Sequence, residues 1–159
     1  MDYTALTFAL LYGVGLNVAG GLLTELSDWY HNLEKPWFQP PGWAFAPAWT
    51  IILGLAGWAL YIGLTEASGA QYTSVAVAFA VNALLHFLWS PLFFKLRRPD
   101  WSFYENFALI ASCAVLIAVL LPVSTFAALL IVPYLMWTCF AQAINWAVVK
   151  LNGPFGQTA

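Results

Sequence analysis

Charged residues are scarce in this chain, and their scarcity is the first constraint on its fold. Only 8% of the 159 residues are charged, whereas 62% are hydrophobic and the mean hydropathy is +0.78. A soluble domain carries about 25% charged residues, so a soluble fold of this length could not bury so much apolar surface. The net charge of -2 offers no basic surface for nucleic acid. The composition predicts one domain, residues 1–159, with lipid as its solvent.

Cysteine is equally scarce, with two residues. Cys113 and Cys139 lie within apolar runs and far from any C-x-x-C spacing, so the sequence indicates neither a disulfide framework nor a zinc site. Both are expected to pack as small hydrophobic residues. The sequence also has no readable nucleophile–base pair, no two carboxylates at catalytic spacing and no glycine-rich phosphate loop. These motifs therefore assign no catalytic residue and no metal site.

Apolar runs long enough to cross a bilayer, which takes about 20 helical residues, occur five times. They cover residues 3–24, 47–65, 72–94, 103–121 and 126–149. Because the Met-Asp start provides no basic segment before the first run, we expect a retained helix and not a signal peptide. The predicted fold is an all-α integral membrane protein, a bundle of five transmembrane helices. A long structured loop, residues 25–46, joins the first two helices.

Every lysine and arginine falls on one side of the predicted membrane. Five spans put the chain ends on opposite sides, and one side receives the long loop, the connection after the third span and the C-terminus. The basic residues there are Lys35, Lys95, Arg97, Arg98 and Lys150. The positive-inside rule therefore predicts an outside N-terminus and a cytoplasmic long loop and C-terminus. An inner or plasma membrane is favoured, and an outer membrane is the alternative.

Small residues mark the expected helix contacts. Those of the first two spans are Gly13, Gly15, Ala19, Gly20, Gly21, Gly54 and Gly57. On the third span, Ala76, Ala80 and Ala83 recur at spacings of four and three, which gives one stripe of small residues. This stripe is either an intramolecular contact or the seam of a homodimer.

Polar side chains inside a membrane are rare enough to be candidates for function. On the third span, Asn82, His86 and Trp89 follow one another at spacings of four and three, so they share a helix face. A neutral imidazole offers one donor and one acceptor. His86 could therefore contact a ligand, accept a hydrogen bond from Asn82 or coordinate a metal. Satisfied packing is the plainer alternative.

The fifth span repeats this arrangement, with Trp137, Ala141 and Asn145 on one face. For Asn145, and for Asn17 of the first span, we favour interhelical hydrogen bonding, worth about 0.6 kcal/mol per bond, over ligand contact. Glu105 lies about one turn into the fourth span, where we expect its carboxylate to reach the interface by snorkelling.

Three motifs carry a family resemblance. The segment WYHNLEKPWFQPPGWAFAPAWT covers residues 29–50, LWSPLFF covers residues 88–94, and PYL covers residues 133–135, ahead of Trp137, Ala141 and Asn145. The first string is long and chemically unusual, and the matches extend over essentially the whole chain. The sequence resembles the TspO/MBR family, the tryptophan-rich sensory proteins related to the mitochondrial translocator protein or peripheral benzodiazepine receptor.

The resemblance implies a five-helix bundle, often a homodimer, that binds porphyrins and other tetrapyrroles, sterols and benzodiazepine-type drugs between its helices. The family's ligand contacts match Tyr30, Trp49 and Trp137, and its small position near the pocket matches Ala141. Asn145 matches a family asparagine. The third span departs from the pattern, since Asn82 and His86 stand where the family usually has glutamine and asparagine.

The same resemblance makes the long loop a lid. Its prolines fix φ and lower the entropy cost of ordering the loop, so we expect a rigid cover over a cavity beside His86. The expected lid residues are Trp29, Lys35, Pro36, Trp37, Pro40, Pro41 and Trp43. In this interpretation Trp37 and Trp43 pack the loop down, Tyr30 faces the ligand and Trp49 begins the pocket wall.

The expected function is binding of porphyrin- or haem-type tetrapyrroles, with sterol-like and benzodiazepine-type ligands as further classes, in sensing, trafficking or stress regulation. One alternative is light- and oxygen-dependent porphyrin degradation, in which Trp49 and Trp137 would be the redox-active groups. Another is passive transport of an apolar ligand. We expect no obligatory cofactor, with porphyrin or haem as a ligand. The expected partners are the bilayer and a second copy, and not nucleic acid.

Overall fold

The chain forms six helices in the computed structural model, which describes residues 2–156. They are α1 (Tyr3–Leu23), α2 (Asp28–Asn32), α3 (Gly42–Glu66), α4 (Ala70–Lys95), α5 (Pro99–Leu120) and α6 (Thr125–Asn152). All except the short α2 are long and apolar enough to cross a membrane. Residues 2–156 contain no strand. The predicted all-α, five-span fold is confirmed.

Two spans contain a π-helical turn, Leu11–Gly15 within α1 and Pro91–Lys95 at the end of α4. The start of α1 is fixed by Asp2, whose Oδ1 accepts hydrogen bonds from the backbone N–H groups of Thr4 and Ala5 at 2.9 and 3.0 Å. This side chain satisfies two of the N–H groups that every helix start leaves without a partner.

The long loop is shorter than predicted and is partly helical. Helix α3 begins at Gly42, directly after Pro41, so the expected start at Pro47 is wrong by five residues. Pro47 lies one turn inside the helix. Its missing N–H costs the helix one backbone hydrogen bond, the one to the carbonyl of Trp43. The loop also contains α2, and Ser27 precedes it without a side-chain hydrogen bond to the start of the helix.

The five spans pack as a closed ring. Neighbours around this ring are α1, α3, α6, α5 and α4, and α4 contacts α1 again. The most buried large side chains at the centre include Leu53 of α3, Phe79 of α4, Leu116 of α5 and Tyr134 of α6. Each wall of the interior is therefore a different helix, and residues far apart in the sequence meet inside the ring.

Glycine allows a close helix crossing between α1 and α3. A Cβ on Gly57 would lie 2.8 Å from the carbonyl oxygen of Ala9, and one on Gly13 would lie 3.0 Å from that of Leu53. The predicted close approach is confirmed at these two glycines. The predicted contacts at Gly15, Gly20, Gly21 and Gly54 are not formed, since a Cβ there would meet open space.

The alanine stripe of the third span lies on α4. Ala76 and Ala83 are partly buried and pack against the core of the same chain, whereas Ala80 is exposed. Ala76 and Ala83 therefore make the intramolecular contact that was one of the two interpretations of the stripe. Only Ala80 presents its side chain to the outer surface of the bundle.

Candidate ligand-binding site

An aromatic cluster of four side chains from three helices lies around His86 of α4. The ring of Trp49, from α3, is 4.9 Å from the imidazole of His86 and nearly perpendicular to it, at 79°. Tyr134 and Trp137 of α6 lie 6.0 and 6.1 Å from the Trp49 ring. The structure therefore brings together three of the predicted site residues, Trp49, His86 and Trp137.

A hydrogen bond fixes the imidazole. Nδ1 of His86 lies 2.9 Å from the hydroxyl of Tyr134, and Tyr134 is fully buried. Within the described part of the chain, Nε2 makes no hydrogen bond, so it is the ring nitrogen left for a ligand. The alternative in which Asn82 donates to His86 is not formed, because the Asn82 amide donates to Ser112 Oγ and His86 Nδ1 pairs with Tyr134. Residues 2–156 contain no group of three His, Cys, Asp or Glu side chains that could hold a metal.

Trp137 contributes an unsatisfied donor. Its indole Nε1 is buried and has no hydrogen-bond partner among residues 2–156. The indole contacts the rings of Phe45 and Phe140 at 5.9 and 5.8 Å. Buried indole N–H groups usually find a partner, so this one marks a position where a ligand acceptor would be stabilised.

Phenylalanines cover the cluster on the loop side. Phe45 packs on Trp137, and Phe38 lies 6.4 Å from the ring of Phe140. The expectation that Trp37 and Trp43 pack the lid down is wrong, since they are 95% and 77% exposed. Their amphipathic indoles suit the boundary between lipid and water, whereas the fully apolar phenylalanine rings suit the interior.

Tyr30 belongs to a second aromatic cluster beside the first. Its ring lies 6.4 and 5.4 Å from those of Phe93 and Phe94. Its hydroxyl accepts a long hydrogen bond of 3.5 Å from Gln39. Partial burial raises the pKa of Tyr30 above its ordinary value of 10.0, although the bond to Gln39 opposes this shift. The phenol is therefore neutral at physiological pH.

The second cluster also holds two tryptophans of the predicted site. Trp89 stacks on Phe93 at 5.0 Å and 21°, and Trp29 lies 6.1 Å from the same ring. Trp89 and Tyr30 are thus close to the His86 cluster but line a different part of the interface between the loop and α4.

Lys35 and Pro36 hold the loop together. The ammonium of Lys35 donates to the carbonyls of Tyr30, His31 and Leu33 at 3.0 to 3.2 Å. These hydrogen bonds satisfy carbonyl groups at the end of α2. Pro36 is buried, and Pro40 is half-buried. With Pro41 immediately before α3, these residues support the predicted structured loop.

Two asparagines of the predicted site make hydrogen bonds inside the bundle. Asn82 is fully buried; it accepts from the hydroxyl of Tyr12 and donates to Ser112 Oγ at 2.8 Å, which links α1, α4 and α5. Asn145, also buried, is 3.0 Å from Ser102 Oγ at the α5–α6 contact. Both amides are therefore engaged outside the His86 cluster. The half-buried Ala141 lies one turn beyond Trp137 on α6.

The sequence comparisons agree with this architecture. The model of the TspO/MBR family matches residues 7–151. The chain belongs to the TspO/MBR family.

Curated relatives of this family come from archaea, bacteria and mammals. The tryptophan-rich protein TspO of Archaeoglobus fulgidus is 37% identical, over 96% of this chain and 99% of its own. The tryptophan-rich sensory protein of Cereibacter sphaeroides is 32% identical, over 96% and 94%. The human translocator protein is 30% identical, over 78% and 75%.

For this TspO/MBR protein, sequence reasoning missed two residues of the site. Tyr134 bonds His86, and Phe45 covers Trp137. A signal for Tyr134 was present, because it precedes Trp137 by three positions and so shares its helix face. Nothing in the sequence distinguishes Phe45 from the other loop aromatics.

Glu105 departs from its expected position. Both carboxylate oxygens are buried and have no hydrogen-bond partner in the described residues. The snorkelling interpretation is therefore wrong. The neighbouring Asn106 differs, because its amide donates to Thr138 O and Gln142 Oε1 at 3.1 and 2.7 Å. Helix α6 thus supplies hydrogen-bond partners for Asn106 but not for Glu105.

Proposed function

We propose that this membrane protein binds tetrapyrroles of the porphyrin or haem type at the cluster of Trp49, His86, Tyr134 and Trp137. The observation that carries the proposal is the buried indole N–H of Trp137, which has no partner in residues 2–156. Tetrapyrroles of the porphyrin and haem type carry carboxylate side chains, whose oxygens accept such a bond. A hydrogen bond of this kind is worth about 0.5–1.5 kcal/mol.

The shape of the cluster suits a flat apolar ligand. Trp49 and Trp137 are nearly perpendicular, at 84°, so a planar ring that lies along one indole meets the edge of the other. Aromatic pairs in such arrangements contribute about 0.5–1.5 kcal/mol beyond area burial. Burial of the large macrocycle adds roughly 25 cal/mol per Å². This apolar term dominates the affinity, and the polar groups orient the ligand.

Entry of the ligand requires the loop side to open. The ring centroids of Phe45 and Trp137 are 5.9 Å apart. A macrocycle that stacks on Trp137 must therefore separate these two rings. Phe45 stands in the first turn of α3, immediately after the proline-rich loop. Movement of the loop and the start of α3 together would expose the cluster, which gives the loop its role as a lid.

The test is a titration of the protein in detergent micelles with protoporphyrin, read as the change in porphyrin absorbance. Trp137→Phe keeps a ring and removes the N–H, so we expect binding about three- to ten-fold weaker, as one lost hydrogen bond predicts. Trp58→Phe is the matched control, because Trp58 is 61% exposed on the outer face of α3. Empty micelles give the background. Equal affinity of wild type and Trp137→Phe would exclude this site.

The printed names of the relatives, sensory protein and translocator protein, favour a role in sensing or trafficking of the bound ligand. Sterol-like and benzodiazepine-type molecules are further ligand classes for the same apolar cluster. We also propose that the N-terminus lies outside and that the long loop and the C-terminus are cytoplasmic. The positive-inside rule supports this orientation, because every basic residue falls at the loop end. Ala80 is the candidate contact for a homodimer.

A further inference from the structure

A pocket lies at the loop end of the bundle, and none of the residues of the His86 cluster line it. It has a volume of about 570 Å³. Three segments form its walls: α2, the connection between α4 and α5, and the residues after α6. The lining includes Trp29, Leu33, Arg97, Arg98, Asn152 and Phe155. Residues from both halves of the sequence thus line one open pocket.

The two arginines give this cavity its charge, and they differ in their partners. Arg98 forms an ion pair with Asp100, and its guanidinium lies 4.1 Å from the ring of Trp101. Arg97 has no carboxylate within ion-pair distance in the part of the chain that the structure describes. Its guanidinium lies 5.9 Å from the ring of Trp29. Arg97 therefore brings a positive charge that no described side chain neutralises.

The backbone at Arg97 is held in an unfavourable conformation. Its φ is +53°, in the left-handed region, and it is the one non-glycine residue among 2–156 with a positive φ. Any residue with a Cβ is strained in this backbone conformation, whereas glycine would avoid the strain. Strained backbone of this kind occurs at functional sites when the side chain is needed. Here the side chain is the unpaired guanidinium of the cavity.

A pair of hydrogen bonds fixes Asn152, another residue of the lining. The backbone N–H of Glu34 donates to Asn152 Oδ1 at 2.8 Å, and Asn152 Nδ2 donates to the carbonyl of Glu34 at 2.9 Å. These bonds join the loop to the end of α6. The lining also includes the apolar side chains of Trp29, Leu33 and Phe155, so an occupant meets both a positive charge and apolar surface.

From these observations we propose that this cavity binds a phosphate group, and that the group belongs to the headgroup of an anionic phospholipid. Guanidinium groups hold phosphate oxygens with paired hydrogen bonds. Basic pockets between transmembrane helices are suited to anionic headgroups. The apolar side chains in the lining account for the lipid source, because a free phosphate ion would gain nothing from them. This site is independent of the tetrapyrrole site.

The experiment measures the melting temperature of the purified full chain in mixed micelles with phosphatidylglycerol or phosphatidylcholine. A third arm adds inorganic phosphate at matched ionic strength. We expect phosphatidylglycerol, at ten times its dissociation constant, to raise the melting temperature by about 3–5 °C relative to phosphatidylcholine. A shift with phosphatidylglycerol alone assigns a lipid headgroup. A shift of equal size with phosphate assigns the soluble anion to the same site.

Three variants distinguish a specific site from diffuse surface charge. Arg97→Gly relieves the positive φ and removes the guanidinium, so the fold is kept while the lipid-dependent shift falls by at least half. Arg97→Asn, also tolerated at positive φ, repeats the test if the glycine variant is unstable. Lys150→Gln removes one charge from the same end outside the cavity and should keep the shift. The proposal is overturned if both lipids act equally or if Lys150→Gln loses as much as Arg97→Gly.

Discussion

At the scale of single residues, the buried polar groups of this bundle are of two kinds. Asn82, Asn106 and Asn145 each bond a neighbouring helix and hold the ring together. Trp137 Nε1 and the Glu105 carboxylate are buried without a partner in residues 2–156. A satisfied polar group adds little to stability, whereas an unsatisfied one costs about 1–3 kcal/mol. Groups of the second kind therefore lower the stability of the bundle.

Adjacent residues of α5 test this distinction. Glu105→Leu removes an unpartnered carboxylate, so we expect stability to rise by about 1 kcal/mol. Asn106→Leu removes two hydrogen bonds and leaves Gln142 Oε1 unpaired, so we expect a loss of about 1–3 kcal/mol. Thermal unfolding in detergent gives both values. A loss of stability in Glu105→Leu as large as that in Asn106→Leu would show that the carboxylate has a stabilising partner.

At the scale of helices, contacts depend on where small residues face and not on how many there are. Gly54 and Gly57 lie in the same helix, α3, three positions apart. Only Gly57 touches α1, because a Cβ there would be 2.8 Å from Ala9 O, while one on Gly54 meets open space. The crossing of α1 over α3 also brings Asn17 Nδ2 within 2.9 Å of Thr50 Oγ1, as the interhelical interpretation predicted.

This crossing predicts opposite outcomes for one substitution at two positions. Gly57→Ala forces α1 and α3 apart, and overpacking of this kind costs about 1–3 kcal/mol. Gly54→Ala adds a methyl group to an open face and should be neutral or stabilising by up to about 1 kcal/mol, since alanine favours helix more than glycine does. Melting temperatures of the two variants decide the question. Similar values would show that α1 tilts freely away from α3.

At the scale of the whole molecule, charge placement relates the bundle to its membrane. The loop, the α4–α5 connection and the end of α6 gather at one end, where Glu34 bonds Asn152 and Arg97 faces Trp29. All five Lys and Arg residues belong to this end. The two proposed sites therefore differ in kind: one is an apolar aromatic cluster within the helices, and the other is a basic pocket at their cytoplasmic end in the proposed orientation.

Reporter fusions in a bacterial inner membrane test that orientation. Green fluorescent protein attached after residue 159 should fluoresce, because it folds in the cytoplasm, and alkaline phosphatase at the same point should be inactive. Phosphatase placed after Ser68, in the connection between α3 and α4, should be active. These outcomes follow from the positive-inside rule. Active phosphatase at the C-terminus would reverse the proposed topology.

The sequence by itself determined the solvent, the number of spans and the family of this protein. These follow from local properties: the length of each apolar run, the scarcity of charge, and the order of tryptophans and prolines around residues 29–50. The helix-face argument also placed His86 and Trp137 as interior residues, since periodicity along a single helix needs no knowledge of its neighbours.

Only the tertiary structure decided which interior residues meet. Tyr134 and not Asn82 bonds His86, Phe45 and not Trp37 or Trp43 covers Trp137, and Gly57 and not Gly54 touches α1. Each choice depends on how one helix is rotated against another. That rotation is set by the summed packing of all five spans, a property that no single segment of the sequence carries.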